Sequence, residues 1–142
     1  MTQAPPLNGQ VIGQAERATR ALLDLLLAAE NTPFVNWVSL NLLATQGEMT
    51  TESLLEQMVT GLRIDEAEAR AAIHDLDGEA LMTVSDLVRL TTAGEARYAR
   101  ISAGIAELSG RLYHDLPHDD LVAARRVLET VTDRARAELV AR

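Results

Sequence analysis

The stretch that decides the fold runs over residues 50–90 and reads TTESLLEQMVTGLRIDEAEARAAIHDLDGEALMTVSDLVRL. Its apolar residues recur first at helical spacing and then in two short runs of β-prone residues. The pattern predicts a helix over residues 50–61, a second helix over residues 64–78 and a tight hairpin over residues 81–90. The residues expected to face the core of the two helices are Leu54, Leu55, Met58, Val59, Ile64, Ala69, Ala72, Ile73 and Leu76.

Two further helices are predicted before this stretch. Residues 1–9 contain two prolines and an Asn-Gly pair, and they are predicted to form a flexible arm. A helix is expected over residues 10–31, and Thr32 is expected to cap the next helix with Pro33 at its first position. Together with the opening stretch, this second helix completes the element order of a winged helix over residues 33–91.

Two long helices are predicted after the hairpin. Thr92 and Glu95 form a capping box that opens the first of them, and Leu116-Pro117 marks the corner before the second. Apolar stripes at spacings of three and four run along both of them and along the first helix of the chain. One small lobe cannot bury all three stripes, so we predict that residues 10–31 and 92–142 form a layer that dimerises with a second copy. The stripes comprise Val11, Ala15, Ala18, Leu22, Leu25 and Ala29; Tyr98, Ile101, Ile105, Leu108 and Leu112; and Leu121, Ala124, Leu128, Val131 and Ala135.

Length and composition limit the classes of protein that are possible. A chain of 142 residues is the size of one domain, and its elements predict a mainly α (α+β) fold with a single domain over residues 10–142. The absence of cysteine excludes disulfides and thiolate metal sites. Its apolar runs are far shorter than the roughly 20 residues that span a bilayer, and no secretory signal is visible. We therefore expect a soluble cytoplasmic protein.

The negative charge of the chain is concentrated in the predicted winged-helix lobe. The formal net charge of the whole chain is −8, and residues 33–91 hold ten acidic residues and three arginines, a net charge of −7. A DNA duplex is a polyanion, and proteins that bind it gain much of their affinity by neutralising phosphates with Lys and Arg. The element order therefore favours DNA binding, whereas the charge opposes it.

Three motifs resemble those of the MarR family of bacterial winged-helix regulators. Leu90-Thr91-Thr92-Ala93-Gly94-Glu95 is similar to the Leu-Thr-x-x-Gly that joins the family's wing to its fifth helix. Leu116-Pro117-His118-Asp119-Asp120-Leu121 is similar to the Leu-Ser-x-Glu-Glu-Leu corner before the last helix. Residues 64–82 carry the apolar framework of the family's recognition helix and first wing strand. The order and spacing of these motifs extend the resemblance over nearly the whole chain.

The resemblance implies a homodimeric transcriptional regulator whose terminal helices interlock and whose two winged lobes bind a pseudo-palindromic operator in double-stranded DNA. It also implies a small aromatic or phenolic effector, bound in a cleft between the dimer layer and the DNA lobe. Phe34 and Trp37 lie one turn apart where family effector clefts tend to be, and they are the candidate effector-binding residues. Ordinary core or dimer packing is the alternative for both. No cofactor is implied.

The donors that the family uses to contact DNA are largely replaced in this chain. Early in the recognition helix the family has polar and basic residues. At those places this chain has Asp65, Glu66, Ala67, Glu68, Arg70 and Ala71. The family's wing carries a basic residue near its tip, whereas here the tip is residues 83–86 without one, and Arg89 lies in the returning strand. Arg63 and Arg70 are therefore the candidate DNA-binding residues, with solvated surface arginines as the alternative.

No catalytic or metal-binding constellation is present in the sequence. It has no phosphate-cradling Gly-rich loop, no nucleophile elbow and no His-Glu-x-x-His, so we do not expect an enzyme. His114 and His118 stand among acidic residues, but a corner between two helices accounts for that cluster without a metal. Two functions remain open: a DNA-binding regulator, or a dimer of the same fold that has lost ordinary DNA binding and binds a protein or a small molecule.

Overall fold

The predicted mainly helical, winged fold is confirmed. The computed structural model describes residues 4–142; the first three residues of the predicted arm lie outside this range, and residues 4–8 are exposed and precede the first helix. Six helices and a two-stranded sheet follow within the described range. They are α1 (Gly9–Ala29), α2 (Phe34–Gln46), α3 (Thr51–Leu62), α4 (Glu66–Gly78), β1 (Met82–Val84), β2 (Val88–Leu90), α5 (Thr92–Tyr113) and α6 (His118–Val140).

Two helix caps differ from those expected. The hydroxyl of Thr32 does not cap α2; it donates to the carbonyl of Glu30 at 2.9 Å, and Thr32 is 2% exposed. At α5 the cap is Thr91, one residue before the Thr92 that the capping-box pattern indicated, because Thr91 Oγ1 accepts a hydrogen bond from the backbone N–H of Gly94 at 3.1 Å. Each threonine therefore lies at a helix end and also makes a hydrogen bond to another part of the fold.

The chain forms two compact units, of which the first ends at Ala106. The core of this first unit lies between α2, α3, α4 and the wing. Helix α4 packs against α2, α3 and β1, and its apolar face is buried as predicted. Ser39 of α2 is fully buried and donates to the sulfur of Met58 on α3 at 3.1 Å, which satisfies the hydroxyl inside the core. The largest fully buried side chains are Leu27, Leu40, Leu54, Met58, Leu76, Met82, Ile101 and Val88.

The wing is a short antiparallel hairpin, and one further residue, Met49, pairs with its second strand next to the turn. Met82 pairs with Leu90, Thr83 with Arg89, and Val84 with Val88. Val88 also exchanges two backbone hydrogen bonds with Met49, at 2.7 and 3.2 Å, which fixes the hairpin to the residues before α3. The outgoing and returning strands are each one residue shorter than the apolar runs that predicted them.

Four helix junctions use a non-glycine residue in the left-handed region. These residues are Asn31, Arg63, Ala80 and Asp115, with φ between 51° and 63°. At the end of α4, for example, the N–H of Leu81 reaches back to the carbonyl of Leu76 at 2.9 Å across Ala80, which is a Schellman-type closure. The helix thus ends at Gly78, the last residue of the predicted range.

The second compact unit, Glu107–Arg142, contains the end of α5 and all of α6. None of the residues of α6 is buried, and much of the apolar surface of this unit is exposed. A groove of about 650 Å³ within the unit is lined mainly by Tyr113, Leu121, Ala124 and Leu128 together with the stems of charged residues. Glu129 accepts a hydrogen bond from Arg125 at 2.7 Å and raises the pKa of that guanidinium, which therefore stays charged.

None of the helices in residues 4–142 is both long enough and apolar enough to cross a membrane.

Candidate nucleic-acid interface

Helices α3 and α4 form a helix-turn-helix whose turn is only three residues long. Thr50 caps α3 by accepting from the N–H of Ser53 at 3.1 Å, and Asp65 caps α4 by accepting from the N–H of Glu68 at 2.8 Å. Arg63 turns the chain between them in the left-handed conformation. Carboxylates at the N-terminus of α4 are favourable because they meet the positive end of the helix dipole. The acidic start of α4 thus stabilises the helix that the fold presents outward.

The outermost line of α4 is nearly uncharged. The buried residues Ala69, Ala72, Ile73 and Leu76 define the inward face. At about 100° per residue, the positions opposite that face are Ala67, Ala71 and His74, which are all exposed. The carboxylates of α4 flank this line. The side of α4 that points away from the core therefore presents two alanines and a histidine, with carboxylates on both flanks.

This line could have been found from the sequence alone. Taken consecutively, the early positions of the helix are mostly acidic, so the uncharged line is not apparent in them. Counting the helical angle from Ala69, Ala72, Ile73 and Leu76 places Ala67, Ala71 and His74 on the opposite side.

The three arginines of the lobe differ in their partners. Arg70 is paired with Glu66, one turn earlier on α4, at 2.8 Å. Arg89 of β2 is paired with Glu48 at 3.2 Å. Arg63 is exposed, and within residues 4–142 it has no carboxylate partner at ion-pair distance. Of the two predicted DNA contacts, Arg63 is therefore the one whose charge is not already neutralised by a neighbour.

A small cavity joins α4 to the wing. It has a volume of about 200 Å³ and is lined by Thr51, Arg70, Ile73, His74, Asp77 and Val84. Arg70 thus lies on the flank of α4 that faces the wing, one side of the outward line. At the tip of the wing the exposed residues are Val84, Ser85 and Asp86, and Ser85 donates to the carbonyl of Leu87 to close the turn.

The structure separates the two aromatic residues that were predicted to bind an effector. Phe34 is half-buried and lines a cavity of about 530 Å³ at the corner between α1 and α2, together with Asp24, Leu27, Ala28, Asn31, Thr32 and Pro33. The guanidinium of Arg20 lies 3.3 Å from the centroid of its ring. Trp37 is instead buried in the core, where it stacks on Tyr98 with a centroid distance of 5.4 Å. Only Phe34 is therefore presented to the corner cavity.

The histidines at the corner before α6 do not form a cluster of ligands. His114 Nε2 lies 3.2 Å from a carboxylate oxygen of Asp115, and both side chains are largely exposed. Within the described residues, no group of three His, Asp or Glu side chains converges on a point where a metal ion could bind.

Comparison with solved structures identifies the fold. A Staphylococcus aureus MarR in complex with salicylate and kanamycin matches with a TM-score of 0.79 and 17% identity, over 91% of this chain and 90% of that one. A MarR-family regulator from Silicibacter pomeroyi matches with a TM-score of 0.74 and 23% identity, over 88% and 86% of the two chains. A Mycobacterium tuberculosis MarR-family protein in complex with DNA matches with a TM-score of 0.73 and 16% identity, over 90% and 98%.

Comparison with curated sequences and family profiles identifies no relative. No family profile matches the chain, and no curated protein sequence matches it. The chain therefore has the fold of the MarR-family regulators, over nearly its full length, at a sequence identity at which only the fold is shared.

Proposed function

We propose that this protein is a homodimeric, DNA-binding transcriptional regulator of the MarR type, with a duplex affinity that depends on few phosphate contacts. The observation that carries the proposal is the exposed outward line of α4 beside the wing, in the position of a recognition helix. Alanine can contact the methyl group of thymine, and histidine can donate to or accept from a base edge. Such a role would place the protein in the cytoplasm.

The dimer is supported by the apolar surface that a single chain leaves uncovered. The whole predicted stripe of α1 is exposed, with Leu25 72% exposed, and α6 buries no residue. Helices acquire most of their stability from packing an apolar face, and exposed apolar patches of this kind mark interaction sites. A second copy that covers α1 and α6 accounts for both helices. Its two lobes would then contact half-sites about one helical turn apart.

Regulation by a small molecule is supported by the cavity at the α1–α2 corner. Its volume of about 530 Å³ lies in the range of small-ligand sites, and Phe34 in its wall lies against the guanidinium of Arg20, which pairs with the carboxylate of Asp24 and supplies a positive charge for an aromatic acid. Salicylate is a suitable first probe because the Staphylococcus aureus neighbour was solved with it. Trp37 is the single tryptophan of the chain and lies three residues from Phe34, so its fluorescence reports on the corner.

We expect salicylate or a related aromatic acid to change the Trp37 emission in a saturable way, and Phe34→Ala to weaken that response about tenfold or more by removing the apolar wall. Leu139→Ala, far along α6, is the matched control and should respond as the wild type. A saturable response that survives Phe34→Ala unchanged would place the ligand elsewhere.

The charge of the lobe favours a second function. With residues 33–91 at a net charge of −7 and two of the three lobe arginines paired to carboxylates, the lobe repels a duplex at long range. The second candidate is therefore a dimer of the same fold that does not bind DNA and acts through a protein or small-molecule partner.

A DNA titration at low salt decides between the two functions. The protein is titrated by fluorescence anisotropy against duplex from its own upstream region and against a shuffled duplex of equal length, at several salt concentrations. Because two lobes offer six arginines in all, we expect sequence-specific binding with a log–log salt slope no steeper than about −5. No binding at micromolar protein in low salt would contradict the regulator and leave the second candidate.

A further inference from the structure

Arg97 of α5 connects two parts of the first unit that are distant in sequence. Its Nη1 lies 3.4 Å from Oγ1 of Thr32, at the α1–α2 corner, and 3.5 Å from Oε1 of Glu79, which caps the C-terminal end of α4. The side chain of Arg97 is mostly buried, with 18% exposed. One guanidinium thus contacts both the wall of the corner cavity and the end of the helix that presents the outward line.

Neither contact of Arg97 is at its optimum. Charge-assisted hydrogen bonds between nitrogen and oxygen are usually about 2.7–2.9 Å long, and both of these are longer. Arg97 Nε is buried and has no hydrogen-bond partner among the described residues. A buried donor without an acceptor is unfavourable. One nitrogen, Nη1, makes both contacts, and neither has the length of a strong hydrogen bond.

The two sides of this contact are attached to α5 in different ways. Helix α5 is fixed to the end of α4 because Thr91 donates to the carbonyl of Ala80 at 2.7 Å, and Gly94 packs directly on the carbonyl of Leu81. The polar contacts from the corner to α5 are made by side chains: by Arg97, and one turn later by Arg100, which pairs with Glu30 at 3.2 Å. Among the described residues Arg100 has no hydrogen bond or ion pair to α4, whereas Arg97 has polar contacts on both sides.

We propose that Arg97 is a positioning residue that couples the α1–α2 corner to the C-terminal end of α4. In one arrangement the guanidinium closes on Glu79 and holds the end of α4. In the other it closes on Thr32 and releases the carboxylate of Glu79. A molecule in the corner cavity contacts Thr32 and shifts the balance between the two arrangements. The regulatory consequence rests on the proposed function, in which the position of α4 affects DNA binding. The coupling itself does not depend on the proposed function.

Amide hydrogen exchange on the full-length protein without DNA tests the coupling. Glu79→Gln weakens the contact at the end of α4 with little effect on packing, since Glu79 is 43% exposed. We expect it to change the exchange rates of amides at the corner, residues 30–34, by about two- to fivefold, although Glu79 reaches that corner only through Arg97. The same change should be absent when Glu79→Gln is made in an Arg97→Met background.

Arg100→Met is the matched control, because it removes a neighbouring guanidinium that holds the corner but not α4. It should raise exchange at residues 30–34 by the same factor in the wild-type and Glu79→Gln backgrounds, because the Arg100–Glu30 pair does not include Glu79. Corner amides that do not respond to Glu79→Gln, or that respond equally in the Arg97→Met background, would overturn the coupling. If Arg97→Met does not fold, Thr32→Val replaces it, and an effect of Thr32→Val on residues 76–81 supports the coupling while no effect contradicts it.

DNA titration separates this inference from the proposed function. Arg97 does not lie on the outward line of α4, so Arg97→Met should change duplex affinity at an unchanged salt slope. A wild-type protein that binds no duplex would contradict the proposed function, and the exchange rates alone would then decide the coupling.

Discussion

At the scale of single residues, the three arginines of the lobe differ in how readily they can contact a phosphate. Arg70 and Arg89 each hold a carboxylate at 2.8 and 3.2 Å, and a phosphate must displace that carboxylate to reach them. Exposed ion pairs of this kind are worth roughly 0–1 kcal/mol, so the competition weakens a phosphate contact without preventing it. Arg63 needs no such exchange, and it lies in the turn that leads into α4.

Arg63 also occupies a backbone conformation that glycine adopts without strain. With φ 55° and ψ 44°, it is in the left-handed region, where a Cβ costs about 1–2 kcal/mol. We expect Arg63→Gly to leave the free energy of unfolding unchanged or up to about 1 kcal/mol higher, while duplex binding weakens and the magnitude of the salt slope falls by about 1 for each lobe. Urea denaturation and anisotropy titrations measure the two effects.

Arg63→Lys is the control for charge, and Arg70→Met is the control for position. Arg63→Lys should keep the salt slope, and Arg70→Met should reduce it less than Arg63→Gly does. A salt slope that is insensitive to Arg63→Gly but sensitive to Arg70→Met would contradict the assignment of Arg63 as the more available charge.

At the scale of elements, the start of α5 is held to the wing by backbone contact. Thr91 accepts from the N–H of Gly94 and donates to the carbonyl of Ala80, and its own N–H reaches the carbonyl of Leu81 at 3.1 Å. Gly94 is buried against that same carbonyl. The Leu-Thr-x-x-Gly motif therefore has a structural role. The threonine hydrogen-bonds the start of α5 to the residues before β1, and the glycine allows the close approach of the Leu81 carbonyl.

A methyl group at position 94 cannot be accommodated without displacement. A Cβ there would lie 1.9 Å from the carbonyl oxygen of Leu81, a backbone atom that has little freedom to yield. We expect Gly94→Ala to lower the free energy of unfolding by about 1–3 kcal/mol or more, measured by urea denaturation. Gly61→Ala is the matched control, since nothing lies within 4 Å of its Cβ position in α3, and it should stabilise the protein by roughly 0.5–1 kcal/mol. Equal stability of Gly94→Ala and the wild type would contradict the close approach.

Helical periodicity predicted α3 and α4 because each of these two helices has one buried face. The buried positions Leu54, Leu55, Met58, Ala69 and Leu76 follow directly from that period. What the period could not predict is how the elements join. Thr32 is of a residue type that commonly caps a helix. Its hydroxyl instead donates to the carbonyl of Glu30 and accepts from Arg97, which lies 65 residues further along the chain. Such contacts depend on tertiary geometry, and so the Arg97 contact has no signature in the sequence.

The candidate site was only partly predictable for the same reason. Arg63 and Arg70 were identified as the surviving positive charges, and the pairing of Arg70 with Glu66 follows from their spacing of four. The separation of Phe34 from Trp37 does not follow from the sequence. Two aromatics one turn apart predict a shared face, but the stacking partner of Trp37 comes from α5.

At the scale of the whole molecule, the uncovered apolar faces predict the state of assembly. We expect the protein to sediment at twice the 15.4 kDa mass of the chain at micromolar concentration. Val131→Glu places a carboxylate on the exposed apolar stripe of α6 and should raise the dimer dissociation constant by about a hundredfold or more, because the charge would be buried without a partner. Analytical ultracentrifugation measures both quantities.

Thr130→Glu is the control for that substitution, since it adds the same charge to the same helix on a different face. It lies one turn from Arg126 and from Arg134, which makes the new carboxylate favourable. A wild-type protein that sediments as a monomer, or a Val131→Glu variant that dimerises as the wild type does, would contradict the role of the stripe.

The nearly uncharged line of Ala67, Ala71 and His74 has a consequence for how this lobe can change over evolutionary time. None of the three side chains supports the core, so each position can accept a long polar or basic residue without loss of folding. If the lobe binds DNA as proposed, one or two surface substitutions on this line can therefore change the sequence that it recognises, while the scaffold that presents them stays the same.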